Sequence, residues 1–269
     1  MHNYVHGYTD NESQRLNDQA NTLDELLHFD TIFPQNSRIL EAGCGIGSQT
    51  KIIAPKNPAC QFISIDISSQ SIKKAESVIN DLNITNVEFQ IQDICNLSFP
   101  QESFDHIFIC FVLEHLSNPF DILMYLKNFL RKNGTITVIE GDHGSAFYYP
   151  QSELAQKAIN CQVKLQALNG GNALIGREIF PLLQKSGFID CQVDPRMVYA
   201  DSTKPHLVEE FTRNTFTAMI RGIEKNVLKH QLMTEDEWEQ GIKDLYRTAE
   251  PDGIFCYTFF KGKARKGSQ

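Results

Sequence analysis

Short apolar runs alternate with amphipathic stretches over the first 140 residues. The runs SRILEAG, QFISIDI, VEFQIQD, FDHIFICF and TITVIE are separated by helical patterns or turns. Parallel strands need crossover segments between them, and these are usually helices. The alternation therefore predicts an α/β fold with a largely parallel, doubly wound sheet.

The elements outside this core are predicted from caps and periodicity. A first helix is predicted from Glu12 to His28, because Thr9 and Glu12 form a capping-box pattern before a leucine stripe. Insertions are predicted at about 141–176 and 200–253, followed by a final strand in IFCYTFF. We expect an N-terminal helical segment at 1–30, one domain at 31–262 and a tail at 263–269 with solvated basic residues.

Composition and charge narrow the class of protein. Apolar residues make up 41% and charged residues 22%, which is ordinary for a globular protein, and the net charge is -8. An acidic chain is a poor match for a phosphate backbone, so nucleic acid is not expected as a partner. No apolar run is long enough to span a membrane and no secretory signal is visible, so we expect a cytoplasmic protein without a membrane partner. The seven cysteines form no CxxC pair, and no metal-ligand spacing is present.

A glycine-rich turn joins the first strand to the next helix in LEAGCGIG. Gly43 and Gly45 fit a dinucleotide-binding pattern, but the third glycine, Gly47, comes one residue early and Ser48 takes its place. Glycines here allow a ligand to approach the backbone closely. Glu41 precedes the turn, and a carboxylate is unfavourable beside a pyrophosphate but suits a ligand with a cationic amino group.

Two aspartates follow the next two strands. Asp66 lies about 20 residues after the glycine turn, where a carboxylate can accept hydrogen bonds from ribose hydroxyls. Asp93 ends the third strand, in position for a base edge or as a simple turn cap. Together with the glycine turn, these residues predict a crevice for a nucleoside with an amino acid attached and no pyrophosphate.

These motifs resemble those of class I S-adenosylmethionine-dependent methyltransferases. ILEAGCGIG is similar to the first motif of that family, FISIDIS to its ribose-binding strand, and QIQDICNLSFPQESFDHIFICFVLEHL to its third and fourth strands. The resemblance implies S-adenosylmethionine as cofactor and a seven-stranded Rossmann-like sheet of order 3-2-1-4-5-7-6 with the last strand antiparallel. The opening segment is similar to helices that cover the cofactor as a lid. The implied cofactor contacts are Tyr4, Arg15, Glu41, Gly43, Cys44, Gly45, Gly47, Asp66, Ile67, Asp93, Ile94, Cys110 and Phe111.

The acceptor side is predicted around the end of the fifth strand. His143 in GDHGS is a candidate general base, with loop anchoring as the alternative, and Asp142 could orient its ring. His115 is a second catalytic candidate, with a packing role as the alternative. The remaining candidates for the substrate site, each of which could instead be core or surface, are His6, Tyr8, Asp142, Tyr148 and Tyr149.

The acceptor class is predicted by what is absent. Neither NPPY nor DPPY follows the fourth strand, which argues against methylation of DNA bases, and no Pro-Cys nucleophile occurs there. A methyltransferase acting on a small molecule is therefore expected. A catalytically silent cofactor-binding protein and a protein methyltransferase are the alternatives, and the oligomeric state is not predicted.

Overall fold

The structure is a computed structural model that describes residues 10–268, with side chains described from residue 15. Its α-helices are α1 Asp10–His28, α2 Thr50–Lys56, α3 Ser69–Asp81, α4 Pro119–Lys127, α5 Glu153–Leu168, α6 Ile179–Lys185, α7 Ala218–Arg221, α8 Glu224–Lys229 and α9 Glu235–Arg247. Its strands are β1 Arg38–Ala42, β2 Gln61–Asp66, β3 Val87–Ile91, β4 Phe104–Cys110, β5 Leu130–Gly141, β6 Phe147–Tyr149, β7 Phe188–Ala200 and β8 Ile254–Lys266. Short 3-10 turns occupy Leu113–His115, His143–Ser145 and Ile175–Glu178, and Leu207–Thr217 is π-helical.

The helix starts follow the capping residues visible in the sequence. The Ser68 hydroxyl accepts a hydrogen bond from a backbone N–H in the first turn of α3. Asn118 does the same for α4, which begins with proline. Thr234 and Glu237 form a complete capping box at α9. The first helix starts at Asp10, two residues before the predicted Glu12, and ends at the predicted His28.

One eight-stranded sheet crosses the molecule in the order β3-β2-β1-β4-β5-β8, with β7 beyond β8. The short β6 pairs with the start of β8. Strands β1 to β5 are parallel, and β8 is antiparallel to both β5 and β7. When the short β6 is left out of the count, this is the implied order 3-2-1-4-5-7-6 with an antiparallel last strand, so the prediction is confirmed.

Both faces of the sheet are covered by apolar side chains. One face packs against α1, α5 and α9, and its buried residues include Leu27, Phe108 and Trp238. The opposite face packs against α4 and α6 through Leu126 and Leu183. A sheet that is buried on both faces explains why its central strands read as continuous apolar runs. Within residues 10–268, no helix is both long and apolar enough to cross a membrane.

The C-terminal segment differs from its prediction. Residues 263–269 were expected to form a solvated tail, but β8 continues to Lys266, paired with β5 and β7. Lys261 is fully buried, and its Nζ donates hydrogen bonds to Asp30 Oδ1 at 2.6 Å, the Leu27 carbonyl at 2.8 Å and Thr31 Oγ1 at 2.7 Å. The basic residues are therefore strand residues, and Asp30 explains why one of them can be buried.

Candidate active site

A cavity of about 1010 Å³ opens at the carboxyl ends of the central strands. Ligands of doubly wound sheets bind at this edge. The cavity has two regions, which we name by their residues. The nucleoside end is formed by Gly43, Cys44, Gly45, Asp66, Ile67, Asp93 and Ile94. The acceptor end is formed by Phe111, Glu114, His115, Gly141, His143, Gln162, Gln166, Tyr257 and Phe259.

The glycine turn is shaped for close contact with a ligand. Gly43 and Gly45 both have positive φ, at +84° and +53°. A side chain on Gly43 would collide with Val112, whereas a Cβ built on Gly45 meets no heavy atom within 4 Å. Gly45 therefore presents bare backbone to the cavity, which is the cradle that the predicted cofactor requires. Gly47 is not part of the cavity wall, and its missing side chain instead lets α3 approach at Ala75.

Asp66 closes the nucleoside end beside this turn. Its Oδ2 accepts a hydrogen bond from Gly45 N at 2.9 Å, and its Oδ1 accepts one from Ser68 N at 2.8 Å. Burial raises the pKa of Asp66, and the backbone N–H donors act in the opposite direction. Each carboxylate oxygen retains capacity for a further hydrogen bond. The carboxylate is thus fixed at the cavity wall and is able to accept from ribose hydroxyls.

Asp93 lies at the far side of the same end. Its Oδ1 accepts from Cys95 N at 2.9 Å, so it caps the turn that follows β3, and it also lines the cavity. The two interpretations made from the sequence are therefore compatible. The side chains of Ile67 and Ile94 line the wall nearby, and Ile67 is 64% exposed. An exposed isoleucine in a cavity offers an apolar surface for a planar base.

Glu41 has a different environment from the one expected. It is buried, and its Oε2 accepts from Ser64 Oγ at 2.6 Å and Thr50 Oγ1 at 2.7 Å. Burial raises the pKa of Glu41 to about 7, against the effect of these two hydroxyl donors. The side chain is not part of the cavity wall. Glu41 ties β1 to β2 and to the start of α2, which corrects the expectation that it faces the amino group of a ligand.

His143 lies in the wall of the acceptor end. It is 6% exposed, and its Nδ1 is 2.8 Å from the Tyr257 hydroxyl. Its Nε2 is buried and has no hydrogen-bond partner among residues 10–268. Burial lowers the pKa of His143, and the Glu114 carboxylate partly opposes this. The surroundings of the imidazole therefore favour its neutral form.

Asp142, Tyr148 and Tyr149 do not reach the cavity. Asp142 forms a bidentate ion pair with Arg177 at 2.7 and 2.8 Å, so it does not orient His143. Tyr148 is buried, and its hydroxyl donates to the Ser152 carbonyl at 3.2 Å. Tyr149 is 57% exposed at the surface. The expected substrate contacts of these three residues are therefore wrong.

The turn after β4 presents Glu114 and His115 to the cavity. Glu140 lies beneath it, and its Oε1 accepts from Val112 N at 3.0 Å and Leu113 N at 2.7 Å. His115 Nε2 is 3.5 Å from Glu114 Oε1. The catalytic candidate His115 thus lines the cavity beside a carboxylate, on a turn held from below.

Helix α1 forms another part of the cavity wall. Arg15, Leu16 and Gln19 line the cavity, and Arg15 Nη1 donates to Gln19 Oε1 at 2.9 Å. Cys110 and Phe111, which were expected at the cofactor, line it from the end of β4. The predicted contacts Tyr4, His6 and Tyr8 lie outside the described residues.

Several residues of the wall were missed at the level of sequence. Gln162 and Gln166 are one helical turn apart on the buried face of α5, and Tyr257 and Phe259 share one face of β8. Two buried amides on an apolar helix face were a usable signal, because buried polar groups need partners. Tyr257 gave no such signal in the sequence, because a tyrosine in a strand of alternating apolar residues is usually a core residue.

The fold and the cavity define a doubly wound α/β protein with one cavity, which is lined by the glycine turn and Asp66 at one end and by partly aromatic residues at the other. The profile of a family described as a methyltransferase domain matches residues 34–211. The chain therefore belongs to this family of methyltransferase domains, and the family resemblance seen in its motifs is confirmed.

Relatives of known sequence match over part of their length. The chain is 29% identical over 151 residues to an uncharacterised methyltransferase of Schizosaccharomyces pombe, covering 54% of each protein. It is 26% identical over 143 residues to (S)-coclaurine N-methyltransferase of Papaver somniferum, covering 53% of this chain and 40% of that protein. The chain thus spans about half or less of the length of these relatives.

Solved structures share the fold. A putative methyltransferase from Bacillus halodurans superposes with a TM-score of 0.57 at 15% identity, covering 92% of this chain and 98% of that one. Phosphoethanolamine N-methyltransferase 2 of Haemonchus contortus, solved with phosphomonomethylethanolamine and S-adenosylhomocysteine, also gives 0.57 at 16% identity, covering 93% and 52%. At these identities the likeness concerns the fold alone.

Proposed function

We propose that this chain transfers the methyl group of S-adenosylmethionine to a small-molecule acceptor. The observation that carries the proposal is one continuous cavity joining Asp66 and the glycine turn to His143 and Tyr257. Pockets for single ligands usually enclose about 300–1,000 Å³. A cavity of about 1010 Å³ is therefore large enough for the cofactor and a second molecule.

The sheet sets the direction in which the cofactor lies. Asp66 ends β2 and Gly141 ends β5, with β1 and β4 between them. Neighbouring strands are about 4.8 Å apart, so these two strand ends are about 14 Å apart. An extended nucleoside with its amino-acid part spans this distance. A cofactor held at Asp66 would therefore extend its amino-acid part toward the acceptor end.

The residues of the chain act mainly by positioning. The bound cofactor supplies a methyl group already activated on a sulfonium sulfur. Asp66 would hold the ribose, the Ile67 and Ile94 side chains would hold the base, and Arg15 on α1 would hold the methionine carboxylate. Phe111 and Phe259 exclude water from the line between nucleophile and methyl carbon. Holding two reactants in line can lower the barrier of such a transfer by about 7–11 kcal/mol.

A small acceptor is favoured over a protein by the shape of the site. The acceptor end lies between the sheet and α5, and α1 adds a further wall. His143, Tyr257 and Phe259 in this region are at most 6% exposed. A protein side chain would have to cross these helices to reach them. The similarity to (S)-coclaurine N-methyltransferase, which by its name acts on a small molecule, also supports this acceptor class.

Binding of S-adenosylhomocysteine, measured by calorimetry, tests the cofactor part of this proposal. Asp66→Asn should weaken binding by about 1–3 kcal/mol, because ribose hydroxyls lose a charged acceptor. Asp81→Asn, the same change on the exposed last residue of α3, is the matched control and should bind like the unchanged chain. Equal affinity of both variants would contradict the assignment of Asp66.

Transfer itself is tested with methyl-labelled S-adenosylmethionine and a metabolite extract. We expect label in the small-molecule fraction. Label in protein would support a protein methyltransferase instead. Tight cofactor binding with no labelled product would support the catalytically silent alternative.

A further inference from the structure

One carboxylate projects into the acceptor end of the cavity. Glu114 lies in the turn after β4 and its side chain is 15% exposed. Gln166 Nε2 donates to Glu114 Oε2 at 3.1 Å and to the Glu114 carbonyl at 3.0 Å. Asn172 N donates to the same carbonyl at 2.8 Å. Helix α5 and the following loop therefore fix the position of this carboxylate.

The charge of Glu114 reaches the other groups of this region. Burial raises the pKa of Tyr257, and the Glu114 charge is the next largest cause. Burial lowers the pKa of His143, and the Glu114 charge acts in the opposite direction. Both residues line the acceptor end. A second molecule in this region would therefore be exposed to a negative potential from one side.

The other groups of the acceptor end are aromatic rings, amides and the imidazoles of His115 and His143. Phe111 and Phe259 have ring centroids 5.5 Å apart, and Tyr257 and Phe259 have centroids 4.8 Å apart. Gln162 and Gln166 contribute amides. Aromatic faces beside a carboxylate attract cations, since both present negative potential. The cavity wall also contains two cations, Lys74 on α3 and Arg15, and the proposed function assigns Arg15 to the carboxylate of the cofactor.

We infer that the acceptor is an amine whose nitrogen binds between the Glu114 carboxylate and the cluster of Phe111, Tyr257 and Phe259. This inference rests on the proposed function and names its substrate class. Glu114 and His115 hold the protonated amine, and the proton passes to His115 Nε2, which lies 3.5 Å from Glu114 Oε1. The freed nitrogen lone pair forms the new N–C bond, and the electron pair of the broken C–S bond goes to sulfur. The products are an N-methylammonium ion and a neutral thioether.

The charge of the product distinguishes this reaction from transfer to oxygen. An N-methylated amine carries a positive charge, which Glu114 and the aromatic rings stabilise. A phenolate or carboxylate nucleophile would instead approach Glu114 with a like charge, which is unfavourable at short range in a buried site. The site therefore favours nitrogen.

Charge fractionation of labelled products tests the inference. The full chain is incubated with methyl-labelled S-adenosylmethionine and a metabolite extract, and the products are separated by cation exchange at neutral pH. Unreacted S-adenosylmethionine is itself cationic and is retained, so its peak is identified in a reaction that lacks the protein. We expect new label, beyond that peak, in the retained, cationic fraction. Label in the neutral or anionic fraction would overturn the inference and leave the proposed function standing. No product in any fraction would overturn both.

Variants of Glu114 give a second test with the amine fraction as substrate. Glu114→Gln should lower kcat/KM at least ~30-fold, the loss typical when one partner of a buried charged pair is removed. Affinity for S-adenosylhomocysteine should change little, which also shows that the variant is folded. Glu114→Asp should recover part of the rate because the charge is kept. Glu76→Gln on the exposed face of α3 is the control. Unchanged kcat/KM in Glu114→Gln would contradict the inference.

Discussion

Two glycines of the same turn should respond differently to substitution by alanine. At Gly43 a Cβ would lie 2.5 Å from Val112 Cγ2, so Gly43→Ala should destabilise the fold by more than the roughly 1–2 kcal/mol of left-handed strain alone. At Gly45 the Cβ meets open space, so Gly45→Ala should carry only that strain. Its methyl group would project where the cofactor approaches the backbone. We expect at least a ~10-fold loss of S-adenosylhomocysteine affinity there.

Urea denaturation and calorimetry on the two variants separate these effects. Denaturation reports the free energy of unfolding, and calorimetry reports the dissociation constant. Gly43→Ala should be the less stable variant, and Gly45→Ala should remain folded and bind poorly. Normal cofactor affinity in Gly45→Ala would show that Gly45 does not touch the ligand.

The roles of residues could be predicted where neighbours in the sequence determine their environment. The glycine turn and Asp66 follow from local turn chemistry and strand ends, and the structure brings them together. Glu41 and Asp142 could not be predicted correctly, because their partners Ser64 and Arg177 lie 23 and 35 residues away. A carboxylate has the same appearance in a sequence whether it faces a ligand or an internal hydroxyl.

At the scale of elements, α1 has two differently anchored halves. Its C-terminal end is tied to the sheet, because Lys261 Nζ bonds the Leu27 carbonyl and Asp30. Asp30 also binds Lys263 and Arg196, each at 2.8 Å. The half that includes Arg15 and Gln19 lies along the cavity, where Asn17 Oδ1 accepts hydrogen bonds from Ser48 Oγ at 2.9 Å and Lys51 Nζ at 3.2 Å. This division suits a lid that is hinged at one end.

Hydrogen exchange measures whether α1 acts as this lid. Backbone amides near Arg15 and Gln19 should gain protection when S-adenosylhomocysteine is added, because cofactor contacts suppress local opening. Amides near Leu27 should be protected with or without ligand. Lys261→Met should remove that constant protection, whereas Lys263→Met, whose side chain is 41% exposed, should change it little. A lack of ligand-dependent protection around Arg15 would exclude the lid.

Helices were predicted correctly where a capping residue and an apolar periodicity agreed. The C-terminal strand was missed because it depends on pairing with distant strands. Caps at Ser68, Asn118 and Thr234 mark helix starts that the structure contains. The basic C-terminal segment reads as a tail because its composition is polar. It is a strand because β5 and β7 lie on either side of it. Pairing with distant strands leaves little trace in local composition.

At the scale of the whole molecule, the sheet order was predicted from the family resemblance of the motifs, and not from composition or periodicity. Each motif ends one parallel strand, and a family resemblance fixes their arrangement. The π-helical segment Leu207–Thr217 and the short β6 were not predicted. Their sequences are amphipathic or aromatic, and such patterns suit a regular helix or core equally well.

Several buried ionisable groups make the stability of the whole fold depend on pH. Burial lowers the pKa of His106 to about 3 and that of His28 to about 4. Burial raises the pKa of Glu41 to about 7, which acts in the opposite direction. Because these contributions oppose each other, the pH dependence of the unfolding free energy of the unchanged chain does not isolate the contribution of any one group. Comparison with a variant that lacks one ionisable side chain isolates the contribution of that side chain.

His106→Gln provides that comparison. His106 lies in the centre of the sheet, with Nδ1 2.5 Å from Thr135 Oγ1 and Nε2 3.1 Å from Thr137 Oγ1, and a glutamine can hydrogen-bond to these hydroxyls. Between the ordinary pKa of 6.5 and the folded value of about 3, the unfolded chain binds one proton more than the folded chain. Stability must therefore fall as pH falls through this window, by about 1.4 kcal/mol per pH unit.

Urea denaturation at pH 7, 6, 5 and 4 should show this as a difference between the two proteins. At pH 7 histidine is neutral in both states, so the difference in unfolding free energy there reflects packing alone. By pH 5 the unchanged chain should have lost about 2 kcal/mol relative to His106→Gln. The contributions of His28 and Glu41 cancel in the comparison, since both proteins contain them. A difference that stays constant from pH 7 to pH 4 would mean that the His106 ring takes up a proton inside the folded sheet.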